Sequence, residues 1–277
     1  MKHIALRFAL AAGLVSGLAG LVASSGAAQA QTSGFVTTRL PVKDEKFSFE
    51  GPFGTYDRGA LQRGYQVYKE VCSACHNLSH IAFHNLDEAG GPGFSEAQAK
   101  GIAASFKIPA DPNDKGEITD DKGERLTRPG ALSDYFPGPF PNEEAARANN
   151  SGNLPPDLSM IVKAREGGPQ YVYSILTGFH LNPPKGFAVT PNKYYNPYFE
   201  GWNIGMPPPL ADKGVTYSDG TVASIDQEAH DVATFLAWAS DPKMEERKQM
   251  GLSVLIFLVA FAGILFAAYR KVWADKH

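Results

Sequence analysis

Twenty consecutive residues, Met250 to Tyr269, carry no charge: MGLSVLIFLVAFAGILFAAY. At ~1.5 Å per residue such a run spans the ~30 Å hydrocarbon layer of a bilayer, where every backbone N–H and C=O must be satisfied within the segment. A helix meets that requirement, and a helix buried in a soluble core rarely lacks polar positions on every face. The run is therefore read as a single membrane anchor. Lys243, Arg247 and Lys248 precede it and Arg270, Lys271 and Lys276 follow it, so the basic flanks do not orient it. Orientation comes from the other end of the chain. Lys2 and Arg7, an apolar run from Phe8 to about Ala23, and Ala28-Gln29-Ala30 follow the order of a secretory signal peptide, with cleavage after Ala30. Export of everything between the two segments leaves the short tail on the cytoplasmic side, and in a bacterium it puts the main domain in the periplasm. The expected divisions are a signal at 1–30, an exported domain at 31–244, an anchor with charged flanks at 245–270 and a cytoplasmic tail at 271–277.

Two cysteines in 277 residues exclude a disulfide-dense scaffold and a four-thiolate zinc site, and a formal charge of -3 excludes a generally basic nucleic-acid binder. Glycine and proline together make 48 of the 277, below the roughly 25–30% of disordered low-complexity chains, and the hydrophobic share of 43% is enough for a core. The chain should be folded and rich in loops.

Asp57 can cap a helix running toward Cys72, because Leu61, Tyr65, Tyr68 and Cys72 fall on one face. A second helix is expected from Ser224, where Gln227 completes a capping box, through Ile225, Ala229, Val232, Leu236 and Ala239. It should stop before Asp241-Pro242, since a residue preceding proline avoids helical geometry. A third helix is expected after Pro155-Pro156-Asp157, through Leu158, Ile161, Val162 and Arg165, ending at Gly167-Gly168, and a short fourth from Gln170 to Thr177. Prolines interrupt everything between Leu181 and Leu210, and no strand pattern of similar strength or internal repeat stands out.

Both cysteines sit in Val71-Cys72-Ser73-Ala74-Cys75-His76. C-x-x-C-H is the attachment sequence of a c-type haem: two thiols add to the two vinyl groups, and the adjacent imidazole is placed to ligate the iron. The competing uses fit less well. Zinc would need a second ligand pair, a thioredoxin-like redox pair would sit in a βαβ unit, and a disulfide across two residues would be strained. With both sulfurs consumed as thioethers, the chain has no cysteine left for a disulfide.

The candidate sixth ligand is Met206, in Asn203-Ile204-Gly205-Met206-Pro207-Pro208-Pro209-Leu210, where glycine permits close backbone approach and the prolines restrict motion. A stiff loop suits a ligand that must keep its place in both oxidation states. Its rivals are Met160, expected in the core, and His80, His84, His180 and His230, each expected at the surface or otherwise satisfied; Met244 and Met250 belong to the membrane edge. Arg165 is a candidate partner for a haem propionate, because a guanidinium fork matches a carboxylate, although a solvated surface arginine reads equally well there.

Signal, single C-x-x-C-H, Met-Pro-Pro loop and C-terminal anchor occur here in the order found in the cytochrome c1 family, the c-haem subunits of ubiquinol:cytochrome c oxidoreductase, and the chain resembles their alpha-proteobacterial form. The stretches that carry the resemblance are Glu70-Val-Cys-Ser-Ala-Cys-His76, Arg147-Ala-Asn-Asn150, Leu154-Pro-Pro-Asp-Leu-Ser159, Ala164-Arg-Glu-Gly-Gly168, Tyr171-Val-Tyr173, Leu176-Thr-Gly178, Gly205-Met-Pro-Pro-Pro-Leu210 and Arg247-Lys-Gln-Met-Gly251. It implies one covalent haem c on Cys72 and Cys75, with His76 and Met206 as axial ligands and Arg165 near a propionate. It also implies that Asn149, Pro156 and Tyr171 line the pocket. The implied fold is mainly α, a c-type cytochrome fold with long loop insertions and one C-terminal transmembrane helix. The implied partners are the Rieske iron-sulfur protein as donor, a soluble cytochrome c as acceptor, cytochrome b and lipid beside the anchor, within a dimeric complex of the inner membrane. Some bacterial members of the family brace the region before the methionine with an additional disulfide, which this chain cannot form, so its ligand loop must rely on proline stiffness and packing.

No second haem motif is visible, and on this reading the chain is an electron carrier without bond-making chemistry. Two other functions compete: a membrane-tethered c-type shuttle of another respiratory chain, for which the segment between Trp238 and Met250 is short, and a c-haem peroxidase-like enzyme with an open iron position. Removing residues 1–30 and the segment from Glu245 onward leaves 19 basic and 26 acidic side chains, a charge of -7 on the exported domain. Asp111, Asp114, Glu117, Asp120, Asp121 and Glu124 crowd one expected loop, offset by Lys115 and Lys122. The cluster reads as a solvated loop or as a face that steers a basic soluble cytochrome c.

Overall fold

The computed structural model describes residues 38–275. The expected signal peptide and the last two residues lie outside them. Six α-helices follow in order: α1 (Arg58–Glu70), α2 (Glu96–Ala104), α3 (Glu143–Asn149), α4 (Gly168–Gly178), α5 (Ile225–Ser240) and α6 (Met244–Trp273). Two small antiparallel pairs accompany them: β1 (Lys107–Pro109) with β2 (Thr127–Pro129), and β3 (Tyr194–Tyr195) with β4 (Asn203–Ile204). The rest is loop, in keeping with a mainly α fold with long insertions.

The frame is the contact of α1 with α5. Asp57 caps α1 through Ala60 N, and Leu61, Tyr65, Val67 and Tyr68 are buried along it. Ser224 caps α5 by accepting from Gln227 N at 3.2 Å, but Gln227 turns its amide to Asp231 instead of returning to the cap. α5 stops at Ser240, ahead of Pro242. The helices touch backbone to backbone at Gly64, where a Cβ would collide with the Asp231 carbonyl and Phe235. Around that contact Phe235 lies 5.8 Å from the rings of both Tyr65 and Tyr68 and 5.5 Å from Trp238. Phe235 and Trp238 are fully buried, and each contributes on the order of 2–3 kcal/mol by leaving water. α4 also packs on α5.

Two expectations fail in the same stretch. Leu158 to Arg165 is a series of turns instead of a helix, and Gly167-Gly168 opens α4 instead of ending a helix, with Gly167 as its N-cap at φ 91°. Asp157 causes the first. Its carboxylate accepts from Ser159 N (2.8 Å), Ser79 N (3.1 Å) and Ser79 Oγ (2.6 Å), closing a side-chain turn that competes with helical hydrogen bonding. Met160, expected in the core, is exposed in these turns.

α6 extends the expected apolar run at both ends, with Glu245 and Glu246 in its first turn and Arg270 and Lys271 in its last, each sign matching the helix dipole. It is long and apolar enough to cross a membrane, and no residue of its apolar window is buried against the other described residues. Only Asp241, Pro242 and Lys243 separate it from α5. The joint is clamped: Glu245 accepts from Tyr56 N (2.8 Å) and pairs with Arg58 (2.7 Å), while Lys248 donates to the carbonyls of Phe49 (2.7 Å) and Gly54 (3.0 Å).

Candidate haem site

α1 ends at Glu70, and the chain tightens into a 3-10 turn over Cys72–Ala74, in which the amides of Cys75 (3.1 Å) and His76 (2.9 Å) both donate to the Cys72 carbonyl. One turn thus presents both sulfurs and the imidazole from the end of a buried helix. Both cysteines are free thiols, Cys72 half-buried and Cys75 exposed. Burial pushes the Cys72 thiol up to about 12, with Cys75 adding to the shift.

His76 Nδ1 lies 2.8 Å from the Pro156 carbonyl. A carbonyl can only accept, so Nδ1 carries the hydrogen and Nε2 keeps its lone pair, the arrangement in which a backbone acceptor orients a metal-ligating imidazole. Burial depresses the His76 pKa, against the opposing effects of the Pro156 hydrogen bond and Asp157, which favours the neutral ligand form. The residues that follow Pro156 are anchored by the Asp157 turn and by Leu158 N, which donates to the Asn77 carbonyl at 2.9 Å. Burial alone would raise the Asp157 carboxyl, but hydrogen bonds from Ser159 and Ser79 outweigh it and hold the group below its ordinary value. Asp157 escaped the sequence reading, although an Asp between Pro and Leu-Ser is a recognisable side-chain turn.

Met206 follows β4 after the single residue Gly205. It is half-buried and packs against the main core and against a second cluster of Ile175, Tyr198 and Ile204. A Cβ at Gly205 would collide with the Asn153 side chain, so glycine is what lets the loop pass there. The Asn153 oxygen also receives Lys193 Nζ. Arg165 is exposed, donates to the carbonyl of Ala164 at 3.0 Å and, among the described residues, forms no ion pair. Tyr171 lies beside it: burial raises the phenol, and the charges of Arg165 and Arg39 counter part of that. The structure therefore brings Pro156 to His76 and Tyr171 to Arg165. Asn149 is exposed at the end of α3 with its side-chain nitrogen on the Ala145 carbonyl at 2.8 Å.

The histidine rivals are otherwise placed. His80 and His180 are exposed, His84 is exposed beside Glu88, and His230 pairs with Glu45 at 2.8 Å and stacks on Phe47. The acidic loop is exposed along its whole length and folds as two successive turns of one design. Asn113 Oδ1 accepts from the amides of Lys115 and Glu117, and Asp120 Oδ1 accepts from those of Lys122 and Glu124.

The donor set fits a c-type haem: two cysteine sulfurs on one turn, an imidazole whose Nε2 keeps its lone pair, a thioether on a proline-rich loop and an exposed arginine outside any ion pair among the described residues. Chemistry of this kind places the chain among the c-type cytochromes, here with a helix long and apolar enough to cross a membrane. Residues 47–276 match the Cytochrome C1 family, and the chain belongs to it. It is 43% identical to cytochrome c1 of Rhodospirillum rubrum over the full length of both chains. It is 47% identical to the mitochondrial cytochrome c1 heme protein of Kluyveromyces lactis, over 83% of this chain and 75% of that one. With cytochrome b/c1 of Bradyrhizobium diazoefficiens it shares 50% identity over 84% of its own length, and it spans only 35% of that larger protein.

Proposed function

We propose that this chain is the haem c carrier of a ubiquinol:cytochrome c oxidoreductase, taking single electrons from a Rieske iron-sulfur protein and passing them to a soluble cytochrome c. The observation that carries the reading is the imidazole of the C-x-x-C-H turn fixed by a backbone carbonyl, with Nε2 left for a metal. Cys72 and Cys75 would hold the group through thioethers, His76 and Met206 would ligate its iron, Arg165 would receive a propionate, and Asn149, Pro156 and Tyr171 would line the pocket. Bound there, haem c would supply a ferrous/ferric couple, and ligation by a thioether together with an imidazole would poise it at high potential. On this reading the protein contributes orientation, desolvation and charge, and the chain carries electrons without making or breaking a substrate bond.

The domain lies outside the cytoplasm with α6 in the inner membrane and the C-terminus inside. Cytochrome b is the neighbour of α6, a reading supported by the Bradyrhizobium relative whose name joins the two cytochromes. A tethered shuttle needs a flexible linker. The clamped joint of three residues between α5 and α6 argues instead for a domain held against the membrane within a dimeric complex. The exposed acidic loop steers a basic cytochrome c, and that association should weaken with salt.

Purification in mild detergent should bring down a b-type cytochrome and an iron-sulfur protein with this chain; isolation as a lone c-haem protein would overturn the reading. Met206→Leu should keep the covalent haem but lower its potential by tenths of a volt, out of the ~0.8 V range that axial ligands span. An unchanged potential would remove Met206 from the iron.

A further inference from the structure

Residues Thr38 to Lys43 lie ahead of the region that matches the family, which begins at residue 47. They run as a strap across the parts that surround Met206 and Arg165. Thr38 offers its carbonyl to Trp202 Nε1 at 3.1 Å. Leu40 N donates to the Pro197 carbonyl at 2.8 Å. Arg39 pairs with the Glu166 carboxylate and sits 5.7 Å over the Tyr171 ring. Lys43 reaches α4, its amide donating to Ser174 Oγ at 2.8 Å and its ammonium to Thr177 Oγ1 at 2.6 Å. One extended segment is thus fastened to the turn carrying Arg165, to α4, and to the hairpin that delivers Met206.

Trp202 is the residue on which the last of these depends. Its backbone is left-handed, φ 58°, directly after Gly201 at φ 73°. A bulky side chain avoids that conformation, and it persists only where surrounding contacts hold it. Here they do. Asn196 N donates to the Trp202 carbonyl at 3.1 Å, Trp202 N donates to the Phe199 carbonyl at 3.0 Å, and the indole lies against Phe187 (5.5 Å) and Tyr195 (6.0 Å). The kink sets where β4 begins and so the register in which Asn203-Ile204 pairs with Tyr194-Tyr195, two residues ahead of Met206.

We infer that the strap of residues 38–43 and the kinked Trp202 form a clasp that holds the Met206 sulfur in place, making Arg39 and Trp202 positioning residues for the sixth ligand. The inference rests on the reading of Met206 as that ligand. It assigns to a hydrogen-bonded strap and an aromatic cluster part of the bracing expected of proline stiffness and packing.

The test compares Arg39→Gln and Trp202→Leu with Met206→Leu in the intact, haem-loaded protein. Three signals are read: the thioether-to-ferric-iron absorption band, carbon monoxide binding by the reduced form, and amide exchange at Leu40 and Asn196. Met206→Leu should lose the band and bind carbon monoxide. The two clasp variants should keep covalent haem and helix content while binding carbon monoxide at least about tenfold faster than the parent, with about tenfold faster exchange at both amides, as expected when one local opening becomes easier. Arg39→Gln, which leaves the aromatic cluster intact, keeps the test informative if Trp202→Leu does not fold. Clasp variants that match the parent in band and carbon monoxide binding, while Met206→Leu does not, would overturn the clasp and leave the ligand assignment standing. A Met206→Leu protein that binds no carbon monoxide would overturn both.

Discussion

The contact between α1 and α5 and the stretch from Asn150 to Leu210 hold the two parts of the proposed haem site by different means. The first is built from regular helices whose apolar faces interlock around one glycine, so His76 and the two cysteines hang from the end of a rigid rod. The second contains α4, a pair of two-residue strands and many turns, and it holds Met206 and Arg165 through hydrogen bonds, aromatic contacts and left-handed backbone. Apolar burial is spread over many atoms and tolerates small changes. A turn closed by one carboxylate or one indole does not. Damage to the helical frame should therefore cost the fold, whereas damage to the loop side should cost ligand geometry in a protein that remains folded.

The sharpest way to break that distinction is Gly64→Val. Its side chain would drive into the Asp231 carbonyl and Phe235 at the helix contact, and separating the helices should cost ~3 kcal/mol or more. Holoprotein detected by haem staining should fall to a small fraction of the parent's. Normal accumulation with an unshifted melting temperature would show that the frame is softer than its packing suggests.

Asp157→Ala should act more mildly and on the site itself. Three hydrogen bonds to the carboxylate disappear: Ser159 N is left behind on a buried residue, at about 1–3 kcal/mol, the exposed Ser79 donors turn to water, and the carbonyl that orients His76 loses its support. The expected result is a folded protein with lower thermal stability and a shifted haem potential. The pH dependence has a definite sign. A carboxylate held below its ordinary value stabilises the fold above the unfolded pKa of about 3.9 and loses that contribution as pH falls through the lower folded value. The parent's advantage over Asp157→Ala should therefore shrink below about pH 4, and an advantage that stays constant into acid would mean that the carboxylate charge is not what holds the turn.

The same division decides what could be read from sequence. α1, α5 and α6 were legible because burial on one face, or on every face, leaves a period in the residues, and because Asp57, Ser224 and Pro242 mark where helices start and stop. α2 was missed although Ser95 and Gln98 form the complete reciprocal capping box that Ser224 and Gln227 do not; it buries only Ala99 and Ala103, too little to print a pattern. Leu158, Ile161, Val162 and Arg165 did print one, and it misled, because the Asp157 turn forestalls the helix while leaving the apolar spacing intact. Cys72, Cys75, His76 and Met206 could be proposed from local motifs. The strap from Thr38 to Lys43 could not, since its partners lie more than a hundred residues away in the chain and its own sequence is unremarkable in period and composition.

The smallest expected effect lies inside the frame. Glu228 is fully buried in the first turn of α5, with Oε1 accepting from Val215 N at 3.2 Å and Oε2 without a hydrogen-bond partner among the described residues. Burial raises its pKa, against the opposing hydrogen bonds from Val215 and Gly214. For a carboxyl raised in the folded state, the penalty is absent below the unfolded pKa of about 4.3, grows as pH rises toward the folded value and is constant above it. Glu228→Gln removes the charge and keeps an acceptor for Val215, so it should match the parent in acid and gain up to about 1 kcal/mol at neutral pH. Melting temperatures at several pH values would show the gap opening as pH rises. A variant that is less stable than the parent at every pH would mean that the buried carboxylate is held by partners the apolar frame requires, and the contrast between a packed side and a hydrogen-bonded side would no longer hold.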